Sequence, residues 1–294
     1  MNIENLLSNK KVLFSMEVFP PKKAGSVETV YKSIYGLRSL APDFISVTYG
    51  AGGSTTQREK TVEIASLIKS EYAIEPVCHL TCIGATKQEI REKLSDMKKN
   101  GITNVLALRG DMSPEGSRGN DFAHSSDLAG FIHEEDPEFH IMGACYPEKH
   151  PAAASMDEDI KNLHIKIDAG VSHLITQLFF DNENFYAFMD KLHKEGIDVP
   201  VEAGIMPVTN KGQIERMVTM CGATIPPKMQ SLIDKFGDDN DCMKKAGIDY
   251  AIEQIDELLA YGVRGIHLYS MNQVDTTKEI TEAVMPLINH INNN

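Results

Sequence analysis

Glu17 is the only charge in the apolar run VLFSMEVFPP, and two prolines follow Phe19 directly. The prolines must end a strand there. Alternation along it puts Leu13, Ser15, Glu17 and Phe19 on one face. Burial disfavours the charged form of a carboxylate and raises its pKa. Such a group holds a proton near neutral pH and serves as a general acid, worth on the order of 10² to 10⁴ in rate. The structural alternative is a carboxylate paired with a rim Arg or Lys.

Other polar residues stand where apolar runs stop. Arg109 and Asp111 share a face at the end of NVLALRGD, and Gly110 lets the backbone approach a ligand closely. An ion pair between the two is the plainer expectation. Thr48 and Tyr49 open the Gly-rich turn YGAGGSTT, a type of turn that can cradle phosphate at a helix start. Neither GxxxxGK[ST] nor GxGxxG occurs, so a barrel loop serving a ring or substrate is the better reading. His79, in PVCHLTC, reads as a core histidine. Tyr146 and His150, in ACYPEKHPAAAS, precede a helix start that attracts anions. Asp159, Asn162 and Lys166 follow on successive turns, which spacing alone reads as a solvated face. Gln177, an amide within HLITQLFFD, needs partners, either a ligand edge or neighbouring backbone.

Eight short apolar runs supply the frame, starting at Val12, Phe44, Pro76, Asn104, Ile141, His173, Val199 and Gly265. Each is rich in β-branched and aliphatic residues and separated from the next by enough chain for a helix. Such runs read as strands buried on both faces of a parallel sheet. Eight of them, with polar residues at their ends, predict an α/β chain folded as a (β/α)₈ TIM barrel with its active site on the C-terminal rim. One domain over residues 1–294 is expected. Thr86 and Glu89 form a capping-box pattern, and further helix starts fall at Ser125, Asp157, Asn182 and Thr276. The long connection from Asn210 to Arg264 reads as a helix, an acidic turn at Asp234–Asp241 and a long helix from about Met243 to Tyr261.

Composition excludes several classes. The 294 residues carry a formal net charge of −13 with no Lys/Arg run, so a nucleic-acid footprint is lacking. No apolar stretch is long enough to span a membrane, and MNIENLLSNKK lacks a signal-peptide layout. The five cysteines are odd in number and without CxxC spacing, which favours free thiols over a zinc site or disulfides. A cytoplasmic enzyme without a metal is expected.

The stretches FSMEVFPP, FISVTYGAGG, HLTC, ALRGD, YPEKHP, ITQLFFD and GIMPV occur in that order between Phe14 and Asn272. Together they resemble the methylenetetrahydrofolate reductase family. The resemblance implies FAD at the strand C-termini and reduction of 5,10-methylenetetrahydrofolate to 5-methyltetrahydrofolate. In that ping-pong reaction NADH or NADPH gives hydride to flavin N5 and leaves, and the folate takes its place. By resemblance Glu17 is the acid that opens the methylene bridge, and Asp111 lies near flavin and pterin. Gln177 bonds the pterin or the nicotinamide carboxamide, and Gln213 touches substrate. Thr48, Tyr49, Ala51, His79, Arg109, Gly110, Asp111, Tyr146, His150, Ala153, Asp159, Asn162 and Lys166 match positions that hold FAD. The chain departs from relatives at Met217, where an aromatic is expected, at Gln273, where an Arg is expected, and at Ile165 and His124. These departures leave NADH, NADPH and a ferredoxin-linked donor open. A homo-oligomer or a second electron-transfer subunit is the expected protein partner. The competing readings are a flavin-free pterin-binding barrel that transfers a one-carbon group, and a subunit that only delivers folate or electrons.

Overall fold

The computed structural model describes residues 3–21, 27–49, 55–110 and 121–294. Eight strands form: β1 (Leu13–Val18), β2 (Phe44–Val47), β3 (Glu75–Thr81), β4 (Asn104–Leu108), β5 (His140–Cys145), β6 (His173–Thr176), β7 (Val201–Ile205) and β8 (Gly265–Tyr269). All eight predicted runs are present. They pair in parallel in chain order and β8 returns to β1, closing a barrel. Their residues are buried almost without exception, which is why they read as unbroken apolar runs and not as alternating ones. The register sets Ser15 beside His267, and Glu17 beside both Ser46 and Tyr269.

Helices cover the outside: α2 (Val27–Arg38), α3 (Thr55–Tyr72), α4 (Lys87–Lys99), α5 (Ser125–Glu135), α6 (Met156–Asp168), α7 (Asn182–Lys194), α8 (Lys211–Cys221), α9 (Pro227–Phe236), α10 (Asn240–Tyr261) and α11 (Val274–Asn293), after a short N-terminal α1 (Ile3–Asn9). The capping box at α4 is formed: Thr86 accepts from Glu89 N, and Glu89 reaches back to Thr86 N at 2.7 Å. The long connection holds three helices where two were expected. Pro226 and Pro227 start α9, which buries Met229 and Ile233 and runs through Asp234. The acidic turn is shorter than expected because Asp239 caps α10, accepting from Asp241 N and Cys242 N.

The main core lies between barrel and helices. A second apolar cluster fills the floor of the barrel, where Ile3 and Leu6 of α1 pack with Leu13, Phe44, Val77, Leu106, Met142 and Ile175. Gly265 makes room inside: a Cβ there would lie 2.5 Å from Glu202 Cγ. Cys78, Cys82 and Cys145 are buried free thiols, with Cys221 half-buried and Cys242 exposed. Among the described residues no cluster of His, Cys, Asp and Glu could hold a metal, and no helix is long and apolar enough to cross a membrane.

Candidate active site

Alternation along the strands turns Ser15, Glu17, Ser46, His79, His267 and Tyr269 toward the barrel axis. Glu17 is 6% exposed, and among the described residues no Arg or Lys pairs with it. Its partners are two imidazoles: His79 Nε2 lies 3.3 Å and His267 Nε2 3.8 Å from Glu17 Oε2. Ser46 Oγ sits between, 3.5 Å from that oxygen and 3.4 Å from His267 Nε2. The exit of β1 is fixed by the end of β8. Ser270 Oγ donates to Glu17 O at 2.5 Å, and Asn272 bonds both the N–H and the carbonyl of Phe19 at 3.0 Å.

The raised pKa expected for Glu17 is corrected by this geometry. Burial does push the carboxyl up, but hydrogen bonding and charge from His267 and His79 outweigh it and hold the group down at about 2. The carboxylate is the ionised member of a carboxylate–imidazole cluster. Tyr269 is pushed well above its ordinary value by burial and then by the Glu17 charge. Its hydroxyl donates to Thr176 O at 2.7 Å, and Gly204 leaves the space its ring fills.

Around this centre runs the rim. The Thr48 hydroxyl is buried and has no hydrogen-bond partner among the described residues, while the Thr48 carbonyl accepts from Thr61. Tyr49 is buried beside it. At the end of β4 Arg109 is exposed and Gly110 adopts φ +83°, a left-handed conformation that favours glycine. Asp111 and Ala51 lie outside the described residues, so the expected Arg109–Asp111 pair does too.

After β5, the Tyr146 and His150 rings meet edge-on with centroids 4.6 Å apart. Burial, then the Asp159 charge, pushes the Tyr146 phenol up to about 12, and burial lowers His150. Asp159 accepts from His150 N at 2.8 Å and is 5% exposed. Lys166 reaches in to the Ala144 carbonyl at 2.9 Å, its pKa lowered by burial. The solvated-face reading therefore fails for both residues and holds for Asn162, which is exposed. Seven residues return nearly to the same stripe of a helix, so Asp159 and Lys166 share the face of α6 that covers the β5 end. Ala153 is buried in the same loop, its N–H bonded to His150 O at 2.9 Å.

Gln177 follows β6, and its side-chain carbonyl accepts from Leu178 N at 2.9 Å, the backbone alternative foreseen for it. Gln213 is buried at the start of α8 and accepts from Thr209 N and Oγ1 at 3.0 and 2.8 Å. Met217 packs against the apolar cluster of Leu178, Phe180, Met206 and Val208. Gln273 and His124 are exposed N-cap residues of α11 and α5, and Ile165 is 54% exposed.

Sequence reasoning passed over His267, Ser46 and Tyr269. It also passed over Glu202, His173 and His140, which lie deeper in the barrel. A usable signal existed: Glu202 is the sole charge of VPVEAGIMP, as Glu17 is of its own run.

The family model for methylenetetrahydrofolate reductase matches residues 2–285. The chain is 39% identical over 266 residues to the 5,10-methylenetetrahydrofolate reductase of Escherichia coli (strain K12), covering 90% of this chain and 88% of that one. Identity to the enzyme of the same name from Pectobacterium carotovorum is 37% over 270 residues, 92% and 89% of the two chains. Against methylenetetrahydrofolate reductase (NADH) 1 of Arabidopsis thaliana it is 35% over 288 residues, 92% of this chain but 48% of the plant protein. Among solved structures, an uncharacterized protein from Clostridium thermocellum that binds two copies of 5-methyl-5,6,7,8-tetrahydrofolic acid superposes with TM-score 0.69. That match covers 99% of this chain and 100% of the other at 14% identity, a likeness of fold.

Proposed function

The chain belongs to the methylenetetrahydrofolate reductase family and is an enzyme of that kind; from this premise we propose that it reduces 5,10-methylenetetrahydrofolate to 5-methyltetrahydrofolate, with FAD bound in one barrel domain and NADH or NADPH as donor. The observation that carries the reading is the Glu17 carboxylate buried between His79 and His267 beneath the barrel mouth.

The rim residues fit a flavin dinucleotide. A polar ring edge needs hydrogen-bonding groups, and the buried, unpartnered Thr48 hydroxyl supplies one. A pyrophosphate needs cations, and Arg109 and Lys166 carry them, with His150 and the Tyr146 ring alongside. Tyr49, Gly110, Ala153, Asp159 and Asn162 complete the set, together with Ala51 and Asp111. Bound FAD supplies a two-electron carrier between the nicotinamide and the folate.

The remaining work belongs to the chain. The Glu17–His79–His267 cluster holds a proton in a water-poor cup and gives it to the nitrogen that leaves the methylene carbon. The carboxylate charge then offsets the cationic carbon that results, with Asp111 as a second negative group. Gln177 and Gln213 orient the pterin through their side-chain amides. Donor and folate use one mouth in turn, which is the physical basis for ping-pong exchange.

Absorbance of the purified protein tests the cofactor. Flavin bands near about 380 and 450 nm are expected, bleached anaerobically by 5-methyltetrahydrofolate. A correctly folded protein that is colourless and takes up no flavin overturns the reading and favours the flavin-free barrel. Glu17→Gln should keep flavin and its reduction by the donor, yet lose folate reduction by roughly 10² or more. Normal folate turnover in that variant would remove Glu17 from the proton-donating cluster.

A further inference from the structure

The Glu17 cluster is not isolated. Below it, polar side chains continue in single file down the barrel axis. His267 Nδ1 lies 2.7 Å from Ser15 Oγ, and Ser15 Oγ donates to Glu202 Oε2 at 2.6 Å. The other oxygen of Glu202 lies 3.0 Å from His173 Nε2, a close approach outside hydrogen-bond geometry in which both buried atoms lack any other partner among the described residues. His173 Nδ1 is 3.4 Å from His140 Nε2. His140 Nδ1 then meets Ser172 Oγ at 3.4 Å and Glu4 Oε1 at 3.7 Å. Ser172 is exposed, and the Glu4 side chain is 64% exposed, on the floor of the barrel opposite the mouth.

Ser15, His173, Glu202 and His267 are 0% exposed. The rest of the interior at these levels is apolar, from Leu13 and Phe44 to Ile175. Buried ionisable groups are often no more stabilising than apolar residues of the same volume, so a file of closely spaced ones asks for a reason beyond packing. Each imidazole and the Glu202 carboxyl can take a proton at one atom and release one at another, and the Ser15 hydroxyl accepts and donates at its one oxygen after rotating. Burial and the neighbouring His173 lower His140 to about 3, so the ring rests neutral and would carry a proton only in passing.

From this file we propose that Ser15, Glu202, His173 and His140 are a proton relay that returns a proton from solvent at the barrel floor to the Glu17 cluster. The proposal rests on the functional reading above for its destination. Reducing the methylene group to methyl breaks one C–N bond and forms one C–H bond, and the released nitrogen takes one proton from the cluster. On that reading cofactor and folate would cover the mouth, and replacement would come from below. One proton enters at His140 Nδ1 and leaves Nε2 for His173. It passes through the Glu202 carboxyl and the Ser15 hydroxyl to His267, and thence to Glu17 directly or through Ser46. One proton enters, one leaves, and nothing is oxidised or reduced.

Two measurements test the relay. The first uses the purified protein with ¹⁵N-labelled histidine and needs no turnover. Glu17→Gln should displace the ring signals of His173 and His140, and Ser15→Ala, which removes one hydroxyl and adds no bulk, should suppress that transmitted displacement. Unmoved His173 and His140 signals in Glu17→Gln overturn the relay. The second is kinetic: Glu202→Gln, His173→Gln and Ser15→Ala should each lower kcat for folate reduction about ten-fold. They should leave the folate KM within about two-fold and enlarge the solvent deuterium effect. Folded variants with unchanged kcat and unchanged isotope effect overturn the proposal, and Ser15→Ala decides the matter where the charged-site variants do not fold. A wild-type protein that reduces no methylenetetrahydrofolate sinks the functional reading alone, because the NMR result stands apart from it.

Discussion

Glu17 shows two consequences of burial in competition. Loss of water pushes its carboxyl up, and the imidazoles that the same burial brings close push it further down. The sign for stability follows. A carboxyl at about 2 when folded and 4.5 when unfolded binds fewer protons in the native state. Its contribution is complete above pH 4.5 and is lost as pH falls toward 2, at most about 3 kcal/mol. His140 acts over another window: lowered from 6.5 to about 3, it contributes above pH 6.5 and loses that contribution as pH falls to 3. Urea unfolding followed against pH should therefore show Glu17→Gln flattening the fall below pH 4.5, and His140→Gln flattening it from pH 6.5 downward. A Glu17→Gln profile parallel to wild type below pH 4.5 would contradict the paired carboxylate. A lone charge in an apolar strand made Glu17 legible in the sequence. Its partners were not, because a strand pattern fixes which face a residue takes and says nothing about which distant strand lies opposite. Glu202 and His267 carried the same signal, and only barrel closure gives it meaning.

Elements were more legible where the signal is local. The Thr86–Glu89 box needs four residues and is formed as the sequence implies. Thr86→Ala should cost about 1 kcal/mol of stability by urea denaturation, since it removes the acceptor for a first-turn N–H. Contacts between elements are another matter. A Cβ on Gly247 of α10 would lie 1.8 Å from Val208 O, in the loop after β7. The clash is with backbone and the new Cβ is fixed to the backbone of α10, so Gly247→Ala should push α10 off the barrel and destabilise by about 1–3 kcal/mol. An unchanged melting temperature would show that the helix shifts freely. Nothing near Gly247 in the sequence announces this, as Val208 is far away along the chain. The inward turn of Asp159 and Lys166 was hidden for the same reason: helical spacing groups them, but only the position of β5 decides whether their stripe meets solvent or protein.

At the scale of the molecule, two-sided burial of eight strands was enough to give the barrel, because a parallel sheet covered on both faces leaves few alternatives. The floor was not foreseen. Seven residues of α1 are too few for a helical period to stand out, yet Ile3 is fully buried there. Ile3→Ala should cost about 2–5 kcal/mol if α1 is an integral cover. A negligible loss in thermal denaturation would make it an ornament.

The pairing of β8 with β1 has a consequence in time. Ser15 and His267 touch across 252 positions of sequence, so the contact cannot form until nearly the whole chain has been made. Until the eighth strand docks, a nascent chain carries Glu17 with only one of the two imidazoles that temper it. If the proposed chemistry needs both rings, it waits for the last strand to close the circle.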